Sequence, residues 1–336
     1  MMHLIQGHSY GAELSAERRT TGYRAWQWHY GIPSHGLNYF FLNTGNPQAF
    51  GQQHSLSYRI RLPLDKIKML VHAWQHGFGN SICNKHDILL GIGAGYSTKT
   101  WDLRENHQAP VIGSHLNIAL TLGYELRMNV IGRNAVRVGM RITHFSNGAF
   151  KVPNLGTNNL SLYLSFYNTR KNETFRIVNR PEETPFQNQS TSVAFSSGLK
   201  EIQPPLGRKY QAYTISALHD WRINNKSSLG AGLDFFYDTS LKPLMERYQN
   251  QTPTFARQMQ IGALFSYTLH FNMFELKMQQ GVYAKDHWKN AGIFYNRFGL
   301  RYNFKKNVFV QLMLKTHFAK ADYGEMGIGY TWSKTE

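Results

Sequence analysis

The sequence contains one cysteine, Cys83, in 336 residues, and it lacks the run of about eighteen apolar residues that a transmembrane helix needs. A single thiol cannot form an internal disulfide, which excludes a disulfide-stapled fold. The mean hydropathy is −0.44. This value is still compatible with a membrane β-barrel, because residues facing lipid and residues facing the lumen alternate along each strand and their hydropathies cancel.

Acidic residues are scarce: 20 Asp and Glu stand against 37 Lys and Arg, which gives a formal net charge of +17. Such an excess of positive charge is typical of proteins that bind nucleic acid or an anionic membrane surface. The basic residues are scattered rather than gathered in a helix or a long run, so we expect no nucleic-acid partner. The 15 histidines show no His-x-His or His-Glu-x-x-His spacing, and we expect neither a metal site nor a cofactor.

Alternation of apolar and polar residues dominates the chain and indicates β-strands, because a helix of period 3.6 would scramble it. Between positions 115 and 128 the even residues are Leu, Ile, Tyr or Met, whereas the odd ones include His115, Glu125 and Arg127. The same split recurs at 160–167, 274–279 and 308–315. One face of each strand is therefore suited to acyl chains and the other to a polar or filled lumen.

A soluble antiparallel sandwich would also alternate, but the connections favour a barrel. Tight turns are predicted at 128–134, 223–227, 271–272 and 304–307, all on one side, while the connections between them, such as 99–111, 145–158 and 239–256, are longer. Short turns on one side and long loops on the other are typical of outer-membrane barrels.

The sequence thus predicts an all-β fold: a transmembrane antiparallel up-and-down β-barrel of about fourteen strands, within a range of about twelve to sixteen. Residues 1–336 are expected to form a single domain, and 169–188, with Pro181 and Pro185, a long connection. The expected location is the bacterial outer membrane. The N-terminal residues lack an apolar core segment, so the signal peptide is taken to have been removed.

One strand ends in a polar pair. From 134 to 146 the even positions are Val, Val, Met and Ile, followed by His144 and Ser146. Residues two apart on a strand point the same way, so these side chains continue the stripe that faces lipid. They could simply lie in the headgroup zone, but an imidazole beside a hydroxyl is also the minimum for activating a serine nucleophile.

The run from 144 to 156, His-Phe-Ser-Asn-Gly-Ala-Phe-Lys-Val-Pro-Asn-Leu-Gly, resembles the active-site segment of the PagL-type lipid A deacylase barrels, in which His-x-Ser-Asn precedes Pro-Asn-x-Gly. The stretches 112–117, 230–238 and 314–323 resemble the longer Bacteroidetes barrels grouped with that family as acyloxyacyl hydrolases. With them the resemblance spans most of the chain.

The resemblance implies a serine esterase that acts on an ester-linked acyl chain of lipid A in lipopolysaccharide. Ser146 would be the nucleophile and His144 the general base, with the backbone of Asn147 and Gly148 or the amide of Asn154 as oxyanion donors. An exposed cation such as Lys151 would suit the substrate's phosphates.

The sequence departs from the family pattern at Asn158, which stands where the smaller deacylases have the glutamate that orients the histidine. An amide can hold a tautomer but cannot neutralise the imidazolium that forms in the transition state. This favours a second hypothesis, a weakly active or inactive barrel that serves as a structural subunit beside other outer-membrane proteins.

A third hypothesis is a porin-like channel, which would need an open polar lumen. The inward positions predicted for Tyr163, Tyr167, Phe236 and Phe309 argue against it. The carboxylates of Asp234 and Asp238 are expected to face the lumen and to be paired with Arg or Lys.

Overall fold

The computed structural model describes residues 6–64, 85–131, 134–168, 178–182, 188–304, 307–318 and 320–333. Within them, fifteen strands form two sheets, and adjacent strands in each sheet are antiparallel. The chain divides into two compact units: residues 1–146 with 156–183, and residues 147–155 with 184–336. None of the helices in the described residues has the length and apolar character needed to cross a lipid bilayer.

The first unit is a seven-stranded sheet in which the strands follow one another in chain order. A short helix, α1 (Ala25–His29), lies between the first two strands. The strands are β1 (Tyr10–Arg19), β2 (Ser34–Asn43), β3 (Gln52–Pro63), β4 (Lys85–Ser97), β5 (Leu116–Ile131), β6 (Asn134–Ser146) and β7 (Thr157–Asn168).

The second unit is a closed barrel of eight strands, in which the last strand pairs with the first and leaves no open edge. Its strands are β8 (Gln189–Glu201), β9 (Lys209–Asn224), β10 (Ser227–Asp238), β11 (Met259–Phe271), β12 (Phe274–Lys285), β13 (Phe294–Asn303), β14 (Val308–His317) and β15 (Lys320–Ser333). The connection between β10 and β11 holds α2 (Leu241–Gln249) and α3 (Phe255–Gln258), and a 3-10 turn (Lys289–Ala291) precedes β13.

Charged side chains on the inward face hold the first unit together. Arg59 of β3 bonds Glu13 of β1 at 2.8 Å, and Arg141 of β6 bonds the same carboxylate. Arg61 of β3 bonds Glu125 of β5 at 2.5 Å. Because side chains of β1 reach those of β6, the sheet must curl around this network.

The barrel of the second unit has a similar interior. The guanidinium of Arg297, buried in the lumen, bonds Asp234 at 2.8 Å and also bonds Glu325. Four residues farther along β10, Asp238 bonds Lys200 of β8 at 2.8 Å. Removing charges from water is costly unless they are paired, so these bonds are what make a charged lumen tolerable.

The outward faces are apolar. Along β7 every second side chain is exposed, and Leu162 reaches 84% exposure. Comparable stripes follow β5 and β6. This is the alternation that a barrel in a bilayer requires.

The prediction of an all-β antiparallel up-and-down fold is confirmed, with fifteen strands where about fourteen were expected. The predicted pairing of Asp234 and Asp238 with Arg or Lys is also confirmed. The helices α2 and α3 were not foreseen in the 239–256 connection. Of the predicted connection 169–188, residues 169–177 and 183–187 lie outside the described residues. That residues 1–336 form a single domain stays a prediction.

We expect Arg297→Met to lower the free energy of unfolding by about 3–5 kcal/mol, because it leaves two buried carboxylates without their counter-charge. Urea titration of the folded protein in detergent, followed by tryptophan fluorescence, measures the change. Lys242→Met on α2, where the side chain is exposed, is the control and should leave the midpoint unchanged. Equal midpoints for the two variants would show that the ion pairs contribute nothing.

Candidate active site

The orientation of β6 is fixed by a buried aromatic side chain. Phe145 is fully buried on the inward face, where it packs with Phe40, Leu42, Ile112 and Ala119. Its two neighbours in the strand therefore point outward. They continue the exposed stripe of Val138, Met140 and Ile142, as the sequence predicts.

The neighbouring strand orients the His144 ring. Asn158 is the partner of His144 in the pairing of β6 with β7, and its Oδ1 lies 2.7 Å from His144 Nδ1. A carbonyl oxygen can only accept, so Nδ1 carries the proton and donates it to Asn158. The other ring nitrogen, Nε2, then presents its lone pair and can act as a base.

Gly156 lies against the Cε1–Nε2 edge of the same ring. Its φ is +73°, and a Cβ added there would sit 2.6 Å from His144 Cε1 and 3.3 Å from Nε2. The Gly156 amide donates to Val111 O at 3.0 Å. Only glycine combines this left-handed conformation with so close an approach. The last residue of the Pro-Asn-x-Gly motif thus leaves room for the imidazole where any other side chain would collide with it.

Other histidines of the first unit contact tyrosines instead. The Nδ1 atoms of His35, His54 and His86 lie 2.5–2.7 Å from the hydroxyls of Tyr58, Tyr39 and Tyr124. A tyrosine hydroxyl can donate or accept, so these pairs do not fix a tautomer. His144 Nδ1 instead faces an acceptor, as does the Nδ1 atom of His115, which lies 2.8 Å from Ser97 O.

Ser146 is the last residue of β6 and is 7% exposed. It belongs to the first unit together with His144 and Asn158, whereas Asn147, Gly148 and Asn154 belong to the second. The structure thus brings His144 and Asn158 into direct contact and places Ser146 on the same face of the strand as His144.

Within residues 147–155, Asn147 forms hydrogen bonds with two later residues of the same segment. Its backbone amide donates to Asn154 Oδ1 at 3.1 Å, and its side-chain amide donates to Lys151 O at 2.9 Å. To serve as an oxyanion donor, the Asn147 backbone amide would have to break its hydrogen bond to Asn154 Oδ1 and donate to the oxyanion instead. The predicted roles of Gly148 and of the Asn154 amide group stay predictions.

The sequence analysis missed a second serine–histidine arrangement, in the lumen of the barrel. Ser228 Oγ lies 2.7 Å from His270 Nε2, and His270 Nδ1 lies 3.4 Å from Glu275 Oε1. The three residues come from three strands, and only the strand register brings them together. Ser228 lies on the same face of β10 as Asp234, which points into the lumen, so this serine is poorly placed to meet a lipid.

In the part of the chain that the structure describes, no group of three or more His, Cys, Asp or Glu side chains could hold a metal ion.

Two family profiles match the chain in succession. The profile described as lipid A 3-O-deacylase (PagL) matches residues 9–167, which takes in nearly all of β1 to β7. The profile described as the C-terminal domain of acyloxyacyl hydrolase matches residues 189–334, the span of β8 to β15. The boundary between the profiles therefore falls between the two sheets.

Solved barrels give weaker likenesses. A de novo designed transmembrane β-barrel is 9% identical and has a TM-score of 0.27, with 46% of this chain and all of that chain covered. OmpF of Salmonella typhi, solved with daunomycin, is 9% identical with a TM-score of 0.20, covering 97% and 90%. The siderophore receptor PirA of Pseudomonas aeruginosa is 10% identical with a TM-score of 0.21, covering 97% and 64%. These TM-scores are too low to support an argument. No curated protein matches the chain.

We expect Asn158→Leu to change the tautomer of His144, because the acceptor that holds the proton on Nδ1 is lost. The ¹⁵N resonances of the ring, recorded in detergent micelles and assigned with His144→Gln, measure the tautomer. Asn168→Leu, at the other end of β7, is the control. Ring resonances that stay unchanged in Asn158→Leu would contradict the assigned hydrogen bond.

Proposed function

The chain belongs to the family of PagL-type lipid A 3-O-deacylases and acyloxyacyl hydrolases, and we propose that Ser146 and His144 carry out its ester hydrolysis. Membership makes the chain an outer-membrane β-barrel and a hydrolase that acts on ester bonds. The substrate class is lipid A. The assignment of residues, and the chemistry at them, is our proposal.

One observation carries the proposal: the Nδ1 atom of His144 faces an acceptor, on the lipid-facing side of the strand that ends at Ser146. A histidine held with Nδ1 protonated is the form that accepts a serine proton through Nε2. The pair ends a stripe of exposed apolar side chains, so a lipid could reach it laterally within the outer leaflet without entering a lumen.

The reaction proceeds in two halves. Ser146 Oγ attacks the ester carbonyl carbon and passes its proton to His144 Nε2. The tetrahedral intermediate collapses, the carbon–oxygen bond to the lipid A alcohol breaks, and the alcohol oxygen takes the proton from His144. Water then attacks the acyl-enzyme, again with His144 as base, and releases the fatty acid and Ser146. No redox partner or metal is needed for this balance.

The negative charge of the intermediate needs donors. We propose the Gly148 amide and the Asn154 side-chain amide for this role. Asn154 Oδ1 is turned toward Asn147, which leaves its Nδ2 as the donor end of that side chain. Lys151, exposed on the same loop, would add positive charge for the phosphates of the substrate.

Asn158 sets the rate in this proposal. It fixes the tautomer but supplies no negative charge to the imidazolium. Changing the acid of a serine-protease triad to its amide lowers kcat by about 10⁴, partly through the wrong tautomer. Here the tautomer is right, so a slow esterase is expected. The alternative, a structural subunit of an outer-membrane assembly, rests on the same missing carboxylate.

We expect cells carrying the wild-type chain to produce lipid A that lacks one acyl chain, and cells carrying Ser146→Ala or His144→Gln to produce unmodified lipid A. Rates should fall by about 10³-fold or more. Mass spectrometry of extracted lipid A measures this.

Ser228→Ala is the matched control, because Ser228 also contacts a histidine but lies in the lumen. Loss of activity in Ser228→Ala but not in Ser146→Ala would move the nucleophile to the barrel interior. Identical lipid A from cells with and without the folded wild-type chain would favour the structural subunit.

We expect Asn158→Glu to raise kcat on lipid A by about tenfold or more, because a carboxylate would stabilise the imidazolium that forms as Ser146 loses its proton. Asn158→Gln has the same length without the charge and is the control. Purified variants in detergent, assayed for released fatty acid, allow the comparison. A kcat for the Glu variant no higher than that of the Gln variant would contradict the role given to Asn158.

A further inference from the structure

The segment Asn147–Leu155, which follows Ser146 in the chain, is held by the end of β8 in the C-terminal barrel. Ala149 O accepts a hydrogen bond from Glu201 N at 3.0 Å, and the Val152 amide donates to Glu201 Oε2 at 3.3 Å. Closer to the start of the segment, Gly148 O accepts a hydrogen bond from Gly324 N at 3.2 Å. The segment is thus tied to β8 and β15, the two strands that close the barrel.

Glu201 is at the centre of these contacts. Its side chain is 2% exposed, and its second oxygen accepts the Gly207 amide at 2.6 Å. One carboxylate thus binds the backbone of two segments, 147–155 and the 202–208 connection between β8 and β9. A buried carboxylate that bonds backbone amides in both segments holds them in one arrangement.

Lys209, the first residue of β9, completes the arrangement. Its Nζ lies 3.2 Å from Glu201 Oε2, donates to Phe150 O and sits 4.4 Å from the centre of the Phe150 ring. It neutralises the buried carboxylate and adds a fourth attachment point on the segment, Phe150, to those at Gly148, Ala149 and Val152.

We infer that Glu201 is a positioning residue: it fixes the conformation of residues 147–155 and thereby the proposed oxyanion donors that follow Ser146. The inference rests on the proposed function for its effect on catalysis. All the contacts that carry it lie within the second unit, to which residues 147–155 belong.

The test uses the full chain in detergent and two readouts. The first is amide hydrogen exchange of residues 147–155. The second is the rate at which a long-chain alkyl fluorophosphonate labels Ser146, since the phosphoryl oxygen of the probe occupies the position of the oxyanion. Glu201→Gln keeps the size of the side chain and removes the charge. Glu246→Gln, on α2 where the side chain is exposed, is the control.

In Glu201→Gln we expect the hydrogen-exchange rate of the Val152 amide to rise about tenfold. We expect the rate at which the probe labels Ser146 to fall about tenfold or more. The His144 ring resonances should stay those of the wild type, which a general loss of structure would not allow. Glu246→Gln should match the wild type in every readout. If Glu201→Gln fails to fold, Lys209→Met serves instead, with the same direction of change in both readouts.

Unchanged exchange in a folded Glu201→Gln protein would overturn the inference, whatever the labelling rate. Faster exchange with wild-type labelling would overturn the catalytic part of it, because the segment would then be loosened without consequence. A wild-type protein that is never labelled at Ser146 would instead reject the proposed function, and with it the role of Glu201 in catalysis.

Discussion

Both units depend on the pairing of charges that their strands bury on the inward face. A strand in a barrel must carry one face toward the surroundings and one toward the lumen, and in this chain the inward face holds arginines, lysines and carboxylates. Both units pair these charges in the same way. In the barrel, Arg297 lies between Asp234 and Glu325, and in the seven-stranded sheet Arg61 lies beside Glu125. Paired in this way, the charges fill the lumen and leave the outward face to apolar residues.

The candidate site follows from that division. Phe145 belongs to the inward face, so its neighbours belong to the outward one, and a histidine and a serine come to lie at the end of an apolar stripe. The ring of this histidine is held at Nδ1 by an acceptor, Asn158, and lies with its Cε1–Nε2 edge against the backbone of Gly156. A site built in this way would meet its lipid from the side, within the leaflet.

Period-two alternation was sufficient to predict strands at 115–128, 134–146, 160–167, 274–279 and 308–315 and the face on which their residues lie, because it reports both directly. The sequence also predicted that Asn158 would stand beside His144, through the resemblance of the motif. It could not predict that the strands would form two sheets, since alternation does not say which strands close. Nor could it foresee the Glu201 contacts or the Ser228–His270 pair, because both depend on residues far apart in the chain that only the strand register and loop paths bring together.

In the proposed reaction the acyl chain is transferred to a serine on the outward face of β6. Acid quenching of the purified protein during turnover of lipid A, followed by peptide mass spectrometry, detects such an acyl-enzyme. A fatty acyl group is expected on the peptide that contains Ser146. An acyl group on Ser228, or hydrolysis of lipid A with no acylated protein at any time of quenching, would contradict the proposed reaction.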